Sequence, residues 1–137
     1  MKVSFDFDGT LSRKDVQKLA KDLVSKGYEV WIVTSRFSDE AAKTKNWHWI
    51  EEQNQKLFHV AEDCGIKVEN IHFTCMESKS LFLEGKGFIF HLDDDVIELM
   101  DILESNRSNE IKCFPVNVEH FEWEETCKEI LRKNLVD

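Results

Sequence analysis

Apolar residues along this chain fall into short runs that alternate with longer, periodically spaced faces. Residues 3–7 form the first run, and Val16, Leu19, Ala20, Leu23 and Val24 then recur at the i, i+3, i+4, i+7, i+8 spacing of one helix face. Ser12, with Asp15 three residues on, has the pattern of a capping box opening this helix, and Gly27 ends it. Residues 30–33 are a continuous apolar run, as expected of a strand covered on both faces. Ser38 and Asp39 open a helical region that breaks near Asn46. Beyond the break, Trp47, Ile50, Leu57, Ala61 and Cys64 make a second apolar face, closed by Gly65. The remaining pattern predicts a strand over 71–74, a short helix over 78–83, a strand over 88–92, a helix over 96–103, a strand over 111–114 and a last helix over 122–131.

Strands separated by helices imply a parallel sheet with helices on both faces, because right-handed crossovers make that topology accessible. The expected fold is therefore α/β: a three-layer α/β/α Rossmann-like sandwich around a mainly parallel sheet, as one domain over residues 1–137. No internal repeat, low-complexity tract or linker interrupts it. Sheets of this kind gather ligands at the carboxyl ends of their strands, near the switch point of the strand order.

Composition narrows the functional classes. The chain is 42% hydrophobic and 33% charged, with five Gly and one Pro, which suits a soluble globular protein. Its net charge of −9 disfavours broad, nonspecific nucleic-acid binding. It leaves room for an anionic substrate, since a bound divalent cation inverts the local field. Cys64, Cys75, Cys113 and Cys127 form no C-x-x-C pair and read as scattered thiols of a reducing compartment. The first residues lack a signal-peptide pattern, and no run approaches the roughly 18 apolar residues of a membrane span. The expected location is the cytoplasm, with no membrane partner.

The polar residues that break the apolar runs carry the candidate chemistry. Asp6 and Asp8 stand one residue apart at the end of the first run, where an extended strand would project both from one face and Gly9 would let the chain turn. Paired carboxylates repel unless a cation lies between them, so the pair suits a magnesium site and offers a nucleophile and an acid/base. An ordinary strand exit through a glycine turn explains the same residues without chemistry. Thr34, Ser35 and Arg36 end the second strand, Lys79 begins the helix after the third, and Asp93, Asp94 and Asp95 follow the fourth. A parallel sheet would bring all of these to one crevice.

Asp6-Phe7-Asp8-Gly9-Thr10, then an apolar strand ending in Thr34, then Lys79, then Asp93-Asp94 resembles, over about residues 3–95, the haloacid dehalogenase-like superfamily of phosphohydrolases. The resemblance implies a magnesium-dependent phosphomonoesterase working through an aspartyl-phosphate. Asp6 would be the nucleophile and Asp8 the acid/base. Magnesium would be held by the Asp6 carboxylate, the Asp8 backbone carbonyl and Asp94, with Asp93 in support. Thr34 and Lys79 would bind the phosphoryl oxygens. Gly9, Thr10 and Ser35 would line the phosphate, and Asp95 would cap the next helix. Arg36 reads either as a contact to a second anionic group or as an exposed arginine. Retention of Asp8 favours phosphate over carbon–halogen chemistry.

The segments between these motifs are filled by the predicted helices and strands, so no cap domain fits and the site should be open. An open site admits a nucleotide, another small phosphoester, a polynucleotide end or a phosphoprotein, with a lid supplied, if at all, by a second subunit of a homo-oligomer. Phe37, Trp47, His48 and Trp49 form an aromatic stretch after the second strand, read either as packing or as a rim that stacks on a ring; Lys43 and Lys45 form a small basic strip beside Arg36. His91 reads as a hydrogen-bonded core histidine. The competing functional reading is a catalytically silent binding or regulatory module on the same fold. A receiver domain fits poorly, because its phosphorylated aspartate belongs at the end of the third strand, where this chain has Phe73-Thr74.

Overall fold

Each short apolar run becomes a strand and each apolar face a helix in the chain, whose computed structural model describes residues 1–135. The strands are β1 (Lys2–Phe5), β2 (Glu29–Thr34), β3 (Ile71–Phe73), β4 (Phe88–Asp93) and β5 (Phe114–Asn117). The helices are α1 (Lys14–Ser25), α2 (Asp39–Thr44), α3 (His48–Cys64), α4 (Lys79–Leu83), α5 (Val96–Asn106) and α6 (Trp123–Leu135). All strand pairs are parallel, in the order β3-β2-β1-β4-β5. The order reverses direction between β1 and β4, which places the switch point at their carboxyl ends.

Two cores sandwich the sheet. On one face Val3, Phe5, Val30, Ile32, Phe90 and Leu92 pack against Leu19 and Leu23 of α1, Leu57 of α3 and Cys127 of α6. On the other, Val33 and Phe88 meet Leu83 of α4 and Ile102 of α5. The two helix layers and the sheet make the three-layer α/β/α sandwich. Among the described residues no added sheet or helical bundle interrupts it between β1 and α1 or between β2 and β3. No helix of the described chain is long and apolar enough to cross a membrane.

β4 carries an irregularity with a large effect. Lys2 of β1 pairs with Phe88, but Val3 pairs with Phe90, so one residue of β4 is extra. The bulge reverses the alternation: Phe88 faces α4 and α5, whereas Phe90 and Leu92 face the opposite core. His91 and Asp93 are thereby turned towards the α4–α5 side.

Three of the boundaries that differ from those the pattern predicts have a visible physical cause. β1 stops at Phe5, because the chain enters a wide turn over Phe7–Leu11. Ser12 closes this turn: its hydroxyl accepts from the Gly9 N–H at 3.2 Å and its own N–H donates to the Phe7 carbonyl. With Ser12 so engaged, α1 starts one residue later, with Arg13 extended at the cap position and paired to Asp15 at 2.7 Å. The fifth strand is Phe114–Asn117, not 111–114. The Asn106 side chain at the end of α5 binds both the N–H and the carbonyl of Cys113, which holds the preceding residues out of the ladder. Pro115 is tolerated in β5 because the strand is an edge. Ser38 and Asp95 cap α2 and α5 as predicted, accepting from Ala41 and from Ile97 and Glu98.

Ile102→Ala should cost about 2–5 kcal/mol in urea denaturation, since Ile102 is 2% exposed. Ile97→Ala, at a position 72% exposed, should stay within about 0.5 kcal/mol. Equal costs would mean that α5 packs on a different face.

Candidate functional site

The register that follows the bulge pairs Ser4 with His91. Side chains two apart on a strand share a face, so Ser4 and Asp6 of the first segment lie beside His91 and Asp93 of β4. The His91 ring is buried, with Nδ1 2.7 Å from the Ser4 hydroxyl and Nε2 2.7 Å from Asp93 Oδ2. Burial pulls the His91 pKa down despite Asp93. A neutral ring with its proton on Nε2 fits both contacts: Ser4 donates to Nδ1 and Nε2–H donates to Asp93.

α4 on the same face delivers Lys79. The side chain is 2% exposed, and its ammonium bridges Asp6 Oδ1 at 2.8 Å and Asp93 Oδ2 at 2.6 Å. Asp93 is fully engaged, since its Oδ1 also accepts from the Asp95 N–H at 3.0 Å. Burial alone would raise the Asp93 pKa, but the His91 hydrogen bond and the nearby positive charge hold it well below the usual carboxylate range. Asp6 goes the other way. Burial, reinforced by the charges of Asp93 and Asp94, pushes its pKa up to about 8 against the pull of Lys79. Lys79 itself is lowered by burial but raised further by Asp6 and Asp93, so it stays charged.

Asp8 reaches the site by a route that the strand pattern does not show. Its backbone (φ −65°, ψ 123°) and that of Gly9 (φ 73°, ψ 0°) have the angles of a type II turn, so Asp8 sits at a corner and not on a strand face. Arg36 then clamps it with two parallel bonds, Nε to Oδ2 at 2.8 Å and Nη2 to Oδ1 at 2.7 Å. The guanidinium is fixed in turn by the Gln53 carbonyl at 2.9 Å, by Asn54 Oδ1 at 3.3 Å and by the Phe7 ring below it. Gly9 has a second constraint. A Cβ there would collide with the Asp94 carboxylate, so the missing side chain is what admits Asp94 to the site.

Asp6, Asp8, Gly9, Ser35, Lys79, Asp93, Asp94 and Asp95 line one open cleft of about 390 Å³ at the carboxyl ends of β1 and β4. Thr10, Thr34 and Arg36 stand outside that lining. The Thr10 hydroxyl is buried and donates to Asp6 Oδ2 at 3.3 Å. Thr34 continues the alternation of Val30 and Ile32, away from the face of Asp6 and Asp93, and its hydroxyl accepts from the Arg36 N–H at 3.2 Å. Arg36 as the holder of Asp8, Asn54 as the holder of Arg36, and His91 as a partner of Asp93 were not assigned from sequence. Asn54 is a polar residue at a helix position that proves fully buried, a signal that periodicity marks only as an interruption.

Oxygens of Asp6, Asp93 and Asp94 lie within 4.8 Å of one another. An all-oxygen, carboxylate-rich set suits a hard divalent cation, and the charges of Asp93 and Asp94 add to the upward pull of burial on Asp6. Asp94, unlike Asp93, is not tied up by Lys79 and His91, which leaves it the freer ligand. Searches against family models, curated proteins and solved structures find no match to this chain.

Lys79→Met should lower stability by about 3–5 kcal/mol in urea denaturation without added divalent cation, because it strands buried carboxylates without their counter-charge. A loss below about 1 kcal/mol would show that the ammonium does not hold the site together.

Proposed function

We propose that this chain is a magnesium-dependent phosphomonoesterase of the haloacid dehalogenase-like kind, acting through an aspartyl-phosphate in an open site. One observation carries the reading: a buried carboxylate, a buried lysine and a corner carboxylate held by a guanidinium converge with Asp94 at the switch point of a parallel sheet.

Asp6 attacks the phosphorus of a bound monoester in line, forming the Asp6–phosphorus bond as the ester P–O bond breaks. Asp8 gives its proton to the departing alkoxide, then takes one from the water that attacks the aspartyl-phosphate, releasing phosphate and restoring Asp6. Arg36 keeps Asp8 at its corner through both half-reactions. Lys79 offsets charge at Asp6 and Asp93 as the anionic substrate arrives. Asp6, Asp94 and the Asp8 carbonyl, with Asp93 in support, would hold magnesium, which would supply further positive charge against the phosphoryl oxygens. Gly9 and Ser35 line the cleft that would receive those oxygens.

The test is phosphate release from nucleoside monophosphates, sugar phosphates and phosphorylated oligonucleotides, with magnesium or EDTA. Release should require magnesium and fall on the order of 10³-fold or more in Asp6→Asn. Cation binding without release from any ester would instead assign the fold to a binding or regulatory role.

Cation affinity should also depend on pH. Without cation, Asp6 holds a proton up to about pH 8, so a bound cation must displace it. Magnesium affinity by calorimetry should therefore weaken by about tenfold per pH unit below about 8 and level off above it, with proton release seen in buffers of different ionisation enthalpy. An affinity that is flat from pH 6 to 9 would remove Asp6 from the ligand set.

A further inference from the structure

We infer that the aromatic residues beside Arg36 form a base-stacking ledge, so that the phosphoester taken by this site is a nucleotide: a phosphate joined to a nucleobase through a sugar. This rests on the phosphomonoesterase reading above and names its substrate class.

The ledge is built outward from the cleft. Phe37 follows Arg36 directly, and its ring meets Trp47 edge to face at 5.4 Å. Trp47 meets Trp49 at 5.7 Å with the planes tilted by 37°. The inner two rings are half-buried, and the Trp47 backbone N–H closes the end of α2 on the Ala42 carbonyl at 2.8 Å. Trp49 does not share that role and is 55% exposed.

Topology fixes the ledge at the correct edge of the sheet. α3 connects the parallel strands β2 and β3, so it runs back along the sheet and its first turn lies at the strand carboxyl ends with the cleft. Contacts agree: the Gln53 carbonyl and Asn54 hold the guanidinium that clamps Asp8. Trp49 lies four residues before Gln53, on the same face and one turn of about 5.4 Å further out. Asn54 also binds the Phe37 carbonyl at 2.9 Å, tying the ledge to the arginine loop.

Two features select a nucleotide. Trp49 lies outside the cleft lining, one helical turn beyond the Gln53 carbonyl that holds Arg36, so a ring that stacks on it must be joined to the phosphate through a spacer, which a sugar supplies. A cation also flanks the ledge in an acidic protein. The Lys45 ammonium lies over the Trp47 ring at 5.0 Å, while Lys43 is paired with Glu51 at 3.7 Å. Aromatic faces with neighbouring cations are the usual platform for a base and its sugar-phosphate.

The test measures binding separately from turnover. In the Asp6→Asn protein with magnesium, calorimetry compares a nucleoside 5′-monophosphate, a 5′-phosphorylated trinucleotide, a 3′-phosphorylated trinucleotide and ribose 5-phosphate. The nucleotide should bind about tenfold or more tightly than the base-free sugar phosphate. Adding Trp49→Ala should bring the two to parity, and Trp49→Phe should restore most of the difference while controlling for folding. A preference shown by either trinucleotide as well would identify a chain end as a source of the same chemistry. Equal binding of nucleotide and ribose 5-phosphate, or a preference that survives Trp49→Ala, would overturn the ledge. Loss of phosphate release from every ester with the base preference intact would overturn the phosphomonoesterase reading and leave the ledge standing.

Discussion

A buried ammonium shared by two buried carboxylates is the constraint around which this molecule is organised. Lys79 between Asp6 and Asp93 ties α4 to the paired carboxyl ends of the first and fourth strands. Removing these charges from water costs several kcal/mol per ion, and close geometry is needed to offset it. The surroundings supply that geometry. α4 has only five residues, too few to be stable alone, and is held by α5: Glu98 accepts from the Lys79 N–H at 3.0 Å and Asp101 from the Ser78 hydroxyl at 3.0 Å. The lysine is therefore placed by the second helix layer, and the acids by the sheet.

The arrangement is electrostatically unequal, which suits the proposed chemistry. Asp93 receives Lys79, His91 and a backbone N–H, so it is satisfied and stays ionised. Asp6 has the lysine on one oxygen and a long hydroxyl contact from Thr10 on the other. One carboxylate is structural, then, and its neighbour, beside Asp94, is left with fewer partners for its charged form. The arrangement separates the group that anchors the lysine from the group that would react.

Much of the fold was legible because its signals are local. Hydrophobic period separates the strands from the helices, Ser38, Asp95 and Gly65 mark helix ends, and the positions of Asp6, Lys79 and Asp93 at strand and helix boundaries follow from those elements. What was not legible depends on partners distant in sequence or on competition for one group. Ser12 has the pattern of a helix cap but spends its hydroxyl on the Gly9 turn. Residues 111–113 have strand composition, yet Asn106 holds Cys113 outside the ladder. The Arg36–Asp8 clamp spans 28 residues and leaves no trace in either local pattern. Thr34 lies at the predicted strand end, but its parity points it to the opposite core.

That parity has a consequence for how the chain can change. A strand buried on both faces accepts many apolar substitutions, but the extra residue in β4 sets the phase of everything after it. Pairing every residue from Phe88 onward in turn, without the bulge, would leave a strand just as hydrophobic, packed between the same two layers. It would also exchange inside for outside, turning His91 and Asp93 towards α1 and α6 and carrying Phe90 or Leu92 to the lysine. The bulge thus works like a reading frame: within it, point changes are graded in effect, while a shift of one is all or nothing.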